Sequence, residues 1–143
     1  MKFAKGFTLV EVMVVVALIA ILASLAIPAY GDYVTRGKIP DATSNLASKR
    51  VLMEQYFQDN HTYVGAPACS NDATTSKNFT FACSVAPTIN TFTLQATGIG
   101  SMAGFSYTVD ESNTKTSTIA APAKSKWIAN SASCWITNIG GQC

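Results

Sequence analysis

The sequence is poor in the residue types that most catalytic and metal sites need. It has one histidine, His61, and only 13% of its 143 residues are charged. A lone imidazole with no nucleophile motif beside it and no carboxylate pair set by spacing argues against acid–base or nucleophilic catalysis. No Cys-x-x-Cys pair occurs among the four cysteines, so the usual zinc-ligand spacing is absent. Asp72 and Asp110-Glu111 are too scattered for an acidic metal loop. Gly98-Ile99-Gly100 and Met102-Ala103-Gly104 lack the G-x-x-x-x-G-K-[ST] pattern and a parallel βαβ context. They read as a flexible inter-strand loop rather than a phosphate cradle. A basic excess is also missing. The formal charge of +2 comes from Lys2 and Lys5, and beyond residue 6 eight basic side chains face eight acidic ones. A general electrostatic grip on nucleic acid is therefore not the default. An enzyme, a metal and a cofactor are not expected.

What the chain does have is concentrated at its front. From Phe7 to Ala29 the only polar side chains are Thr8, Glu11 and Ser24, and Ser/Thr/Asn-rich sequence follows Tyr30. Twenty-odd apolar residues can cross a hydrocarbon core of ~30 Å as a helix, with Lys2 and Lys5 held on the cytoplasmic side. A secretory signal peptide is the rival reading, but its apolar region is usually about 7–15 residues. Glu11 fits neither a plain anchor nor a signal peptide. A carboxylate in an apolar helix costs roughly a few kcal/mol in a bilayer, so it is retained for a purpose.

Lys5-Gly6-Phe7-Thr8-Leu9-Val10-Glu11, followed by the long apolar run, resembles the leader junction of type IV pilins and type II secretion pseudopilins. The resemblance implies a leader of residues 1–6, cut between Gly6 and Phe7 by prepilin peptidase, with methylation of the new Phe7 amine. It implies a retained helix over residues 7–30 that serves as membrane anchor and filament core, and a pilin domain over 31–143. It also implies that Glu11 pairs with the Phe7 amine of a neighbouring subunit. Desolvation supports that pairing independently, because an unpaired carboxylate is penalised in an apolar core. The implied partners are other pilins, the peptidase, the inner-membrane assembly platform and the membrane itself. The precursor would lie in the inner membrane with its domain in the periplasm, and the assembled chain in an extracellular pilus.

Beyond the apolar run, Pro28, Gly31, Gly37 and Pro40 predict a bent or interrupted helix, with Pro28 and Pro40 as the bends. Helical spacing returns over 40–60. Ala42, Leu46, Met53 and Phe57 fall on one face, with Lys49, Arg50, Glu54 and Asp59 on the wet side. Glu54 to Tyr63 resembles the helix exit of the PilE-like branch, which makes His61 an exit residue. Period-2 alternation then marks strands at Phe79–Val85, Phe92–Ala96 and Phe105–Val109. A turn at Asp110–Asn113 leads into a further strand near Thr116–Ile119. The expected fold class is α+β: a long N-terminal helix on an antiparallel sheet of about four strands spanning 78–120, with a disulfide-closed C-terminal loop over 127–143.

An even cysteine count behind an export-type segment favours two disulfides in an oxidising compartment. Three pairings exist, and the sequential one, Cys69–Cys83 with Cys134–Cys143, closes two short loops. Cys134-Trp135 also resembles the ending of PilE-like minor pilins. The leading functional reading is a structural subunit of a type IV pilus, serving adhesion, twitching motility or DNA uptake. A type II secretion pseudopilin is the alternative. A DNA-binding minor pilin is a third reading, in which Lys115, Lys124 and Lys126 with Trp127 form a basic-aromatic patch.

Overall fold

A computed structural model describes residues 6–143. The expected leader residues 1–5 lie outside the described residues. The chain divides into two compact units, one running through Val34 and the other Thr35–Cys143.

One helix, α1 (Leu9–Asn60), contributes to both units. Thr8 caps its start: the Glu11 backbone N–H donates to Thr8 Oγ1 at 3.2 Å. Thr8-x-x-Glu11 is the spacing of a capping box, and Glu11 sits where the helix macrodipole favours a negative charge. In the first unit α1 exposes its large apolar side chains, with Leu9, Ile19 and Ile27 each more than half exposed. This is the one helix among the described residues long and apolar enough to cross a membrane.

The expected interruption between Gly31 and Pro40 does not occur. Helical backbone continues through Pro28, Gly31, Gly37 and Pro40. Pro40 removes a backbone donor and crowds the preceding turn, and packing holds the turn there. Ile39 and Ala42 are buried in the core, and the Ser44 hydroxyl donates to the Pro40 carbonyl at 2.5 Å. Helix formation inside a protein is governed more by such packing than by local propensity. At the far end His61 adopts φ 55° and its N–H reaches Phe57 O at 2.8 Å, which ends the helix.

The second unit is built on five strands in sequential antiparallel order: β1 (Phe79–Cys83), β2 (Thr93–Gly98), β3 (Phe105–Asp110), β4 (Lys115–Ile119) and β5 (Ala129–Ser131). The expected four strands gain a fifth. β5 pairs with β4 through Ile119↔Ala129 to Ser117↔Ser131, inside the segment expected to be loop. Ala129-Asn130-Ser131 has no apolar alternation, so backbone pairing alone identifies it. Inward-facing Phe79, Phe81, Leu94, Ala96, Tyr107 and Val109 form one core with Ala42, Leu46 and Met53 of α1. The segment between β2 and β3 is pinned rather than loose. Met102 is fully buried, and a Cβ on Gly98 would lie 1.9 Å from Met102 O.

The disulfides join Cys69 to Cys83 and Cys134 to Cys143. The second closes a C-terminal loop that is also stitched to the sheet. The buried Tyr107 hydroxyl donates to Ile136 O at 3.0 Å, Ser117 Oγ donates to Cys134 O at 2.9 Å, and Trp135 Nε1 donates to Thr108 O at 2.8 Å. Burial pushes the Tyr107 phenol above the ordinary tyrosine range.

Lys49 and Arg50 depart from the wet-side expectation. Lys49 Nζ meets Asp72 Oδ2 at 2.8 Å, and Arg50 donates to the carbonyls of Asp110 and Glu111. Long basic side chains can lie along a helix flank and carry their charge back to their own domain. Asp72 also accepts from the Thr75 hydroxyl and from the backbone N–H groups of Thr74 and Thr75. Lys49 first, then these donors, hold its carboxyl well below the usual carboxylate range. A depressed carboxylate contributes stability that is present above its unfolded-state pKa and lost as pH falls through its folded one. Asp72→Asn should therefore lower the melting temperature at neutral pH, and the gap from the unsubstituted chain should narrow as pH falls below about 4. Thermal unfolding across that range checks it; a gap that stays constant with pH would contradict the assignment.

Candidate functional site

Gly6, Phe7, Thr8 and Glu11 border one shallow cleft at the start of α1. The Thr8 cap brings the Glu11 backbone to the first turn, while the Phe7 ring stands 79% exposed just outside it. A Cβ added at Gly6 would meet nothing within 4 Å. Among the described residues nothing packs close enough to Gly6 to require a glycine there. The cleft gathers a small residue, a bulky apolar residue and a carboxylate at the head of an exposed apolar helix. The capping role of Thr8 is the one part absent from the sequence-based expectation, although Thr-x-x-Glu ahead of an apolar run signals it.

The basic-aromatic patch does not assemble as expected. Trp127 is buried to 1% exposure and packs edge-on against Phe105, with ring centroids 5.7 Å apart. Its indole belongs to the core, so its face is not open to a nucleobase. Lys124 and Lys126 are exposed on either side of it in sequence. Lys115 lies at the opposite end of β4, its ammonium 4.7 Å from the centroid of the Trp135 ring. Four strand steps separate Lys115 from Ile119, which pairs with Ala129, a span of about 13 Å. The aromatic partner of a lysine here is thus Trp135, and the three lysines do not form one cluster around Trp127.

The acidic residues are engaged elsewhere. Asp110 Oδ1 accepts the Thr114 N–H in the β3–β4 turn, and Glu111 Oε2 accepts the Phe92 N–H. Among the described residues, no group of three or more His, Cys, Asp or Glu could hold a metal ion.

Comparison with known proteins bears on both ends of the chain. Residues 1–27 match the prokaryotic N-terminal methylation motif. Residues 28–106 match the family described as "Type IV minor pilin ComP, DNA uptake sequence receptor". Among curated proteins, the fimbrial protein EcpC of Eikenella corrodens is 38% identical over 71 residues, 50% of this chain and 46% of that protein. The type IV major alpha-pilin of Moraxella bovis is 36% identical over 77 residues, 54% of this chain and 46% of its own length. FimA of Dichelobacter nodosus is 47% identical over 55 residues, 38% and 34% of the two chains. The chain thus spans about a third to a half of the length of these relatives. In fold it is similar to the crystal structure of the Neisseria meningitidis non-core minor pilin PilV. The TM-score is 0.53 at 17% identity, covering 64% of this chain and 94% of that one. The family match extends over more than half of the sequence, the methylation motif precedes it and a pilin-like fold carries it, so this chain belongs to the type IV pilin family.

Proposed function

We propose that the chain is a type IV pilus subunit, drawn from the inner membrane into the fibre through the first half of α1 after prepilin peptidase cuts between Gly6 and Phe7. The observation that carries this reading is the exposed apolar helix headed by Phe7 and Glu11. In the membrane and then in the filament, other apolar surfaces cover the Val, Leu and Ile side chains. Glu11 is the exception. Left alone there it is a desolvated charge, and paired with the Phe7 amine of the next subunit it satisfies two charges at once. The pairing also sets axial register, because the amine exists at only one place along each helix. The chain itself does no chemistry, and the assembly platform supplies the work. The matched relatives carry fimbrial and pilin names, which favours a pilus over a secretion pseudopilus.

Glutamine retains the capping-box pattern and removes the charge, so Glu11→Gln separates the two roles of this residue. Glu11→Gln and Glu11→Val should both be cleaved normally and both be depleted from sheared surface filaments. Immunoblots of membrane and filament fractions measure this. Normal filament recovery from Glu11→Gln would contradict the charge-pairing role.

DNA uptake is the finer reading, favoured by the family description over residues 28–106. Lys124 and Lys126 are the exposed cations of the C-terminal segment. Duplex binding by the chain in detergent should weaken as salt rises. The triple change of Lys115, Lys124 and Lys126 to Ala should lower the salt slope by about one for each phosphate that the variant no longer neutralises. Absence of binding at low salt would remove this reading and leave the structural role intact.

A further inference from the structure

Apart from the cleft at the start of α1, a second cleft of about 260 Å³ lies wholly within the Thr35–Cys143 unit. Thr35, Ser101, Phe105, Ala123, Lys124 and Trp127 are among the residues that line it. Phe105 and Trp127 are core side chains and give it an aromatic floor, while its rim is polar and basic. Lys38 Nζ donates to Ser101 Oγ at 2.7 Å, which leaves the Ser101 hydroxyl proton for another acceptor. Lys124 is exposed at the rim, and Arg36, also exposed, follows Thr35 in the chain. Among the described residues, neither Arg36 nor Lys124 enters an ion pair.

Charge is unevenly placed around this cleft. Segments 30–38 and 120–128 hold four cations, Arg36, Lys38, Lys124 and Lys126, against one carboxylate, Asp32. The other acids are engaged away from it. Asp41 accepts from the Ser76 hydroxyl and from Asn78, and Asp72 pairs with Lys49. Asp110 and Glu111 lie at the far end of β3 from Phe105, about 17 Å away, where Arg50 holds the turn. The chain beyond residue 6 is neutral in sum, yet this end of the domain is positive.

The apolar run fixes the level of the cleft. A helix that carries the chain from Ala29 to Thr35 spans about 9 Å. The polar headgroup layer adds roughly 5–8 Å to each side of the hydrocarbon core. With residues 7–29 in a bilayer, Thr35 falls at or just beyond the lipid phosphates. Tyr30 and Tyr33, 70% and 75% exposed in that interval, are the residue type that settles at such an interface.

We propose that this cleft receives the phosphate of an anionic phospholipid headgroup while the chain waits in the inner membrane. Arg36 and Lys124 are the pairing cations, and the Ser101 hydroxyl held by Lys38 is a donor. A phosphate ester supplies charged acceptors for these donors, and cations beside a spanning helix are drawn to anionic lipid. A nucleic-acid duplex shares the phosphate, but cations gathered at one cleft at membrane level favour the lipid. The inference rests on the pilus reading, which places the chain in that membrane before assembly. Extraction into the fibre then breaks these contacts as well as lifting out the apolar run.

The test uses the full chain reconstituted in vesicles of mixed phosphatidylcholine and phosphatidylglycerol. A photo-crosslinking residue at Ser125, exposed beside Lys124, reports the captured lipid by mass spectrometry, and one at Ser112 in the β3–β4 turn is the comparison. The Ser125 probe should capture phosphatidylglycerol about fivefold above its share of the bilayer, and the Ser112 probe should capture no lipid. Arg36→Gln with Lys124→Gln should bring capture down to the bulk ratio, and Arg36→Lys with Lys124→Arg should keep the preference. Capture at the bulk ratio by the unsubstituted chain, or an undiminished preference in the double glutamine variant, would overturn the inference and leave the pilus reading standing. So would inorganic phosphate that abolishes the preference where chloride at equal ionic strength does not, which would assign the cleft to free phosphate. A double glutamine variant that loses duplex binding but not the lipid preference would assign the cations to nucleic acid and overturn it too. An unsubstituted chain that fails to float with the vesicles would overturn the membrane placement on which the pilus reading depends, and the lipid site with it.

Discussion

An exposed run of Val, Leu and Ile on one helix sets the terms for everything else in this molecule. Fully burying a large aliphatic side chain is worth about 1.5–3 kcal/mol. The segment from Leu9 to Ile27 exposes a dozen such side chains, so the drive to cover them is on the order of tens of kcal/mol. No single charge can reverse it, since a carboxylate in a bilayer costs roughly a few kcal/mol. That difference in scale is why the segment can keep Glu11. The apolar run decides that the helix will be buried by something, and on the proposed reading the lone carboxylate discriminates among the arrangements that bury it.

The Thr35–Cys143 unit answers the same helix differently. Ala42, Leu46 and Met53 pack with the sheet, and the flanking charges reach back to it. Lys49–Asp72 and Arg50 with the β3–β4 turn tie the second half of α1 to the loop before β1 and to the distal hairpin. Two disulfides and the bonds from Tyr107, Ser117 and Trp135 hold the segments that the sheet alone would leave loose. The helix is therefore used twice, once with its apolar side chains open to other molecules and once with its core face closed on its own domain.

Much of this is legible in the residues because the physics is local and periodic. Ala42, Leu46 and Met53 announce a buried helix face, and the alternation through Phe79, Leu94 and Tyr107 announces strands. Gly6-Phe7 with Glu11 announces the N-terminal methylation motif. What the sequence hides is decided by tertiary packing. β5 is three small or polar residues held by pairing with β4. Trp127 looks like a surface aromatic among lysines, yet it packs against Phe105 at the end of the sheet. Pro40 looks like a helix breaker, but its neighbours Ile39 and Ala42 are anchored in the core. Lys49 and Arg50 look solvated because helical spacing gives the direction of a Cβ and not the destination of a long side chain. Thr8 belongs to the leader-junction motif and is at the same time the helix cap.

Everything proposed for this chain depends on the apolar half of α1 surviving processing and lying in a surface filament. Mass spectrometry of sheared surface filaments measures this directly. The predicted species begins at N-methylated Phe7, retains residues 7–29 and carries both disulfides, and it is recovered with other pilins. A chain recovered only as a soluble species cut after the apolar segment, or only in the membrane with Lys2 and Lys5 still attached, would contradict it.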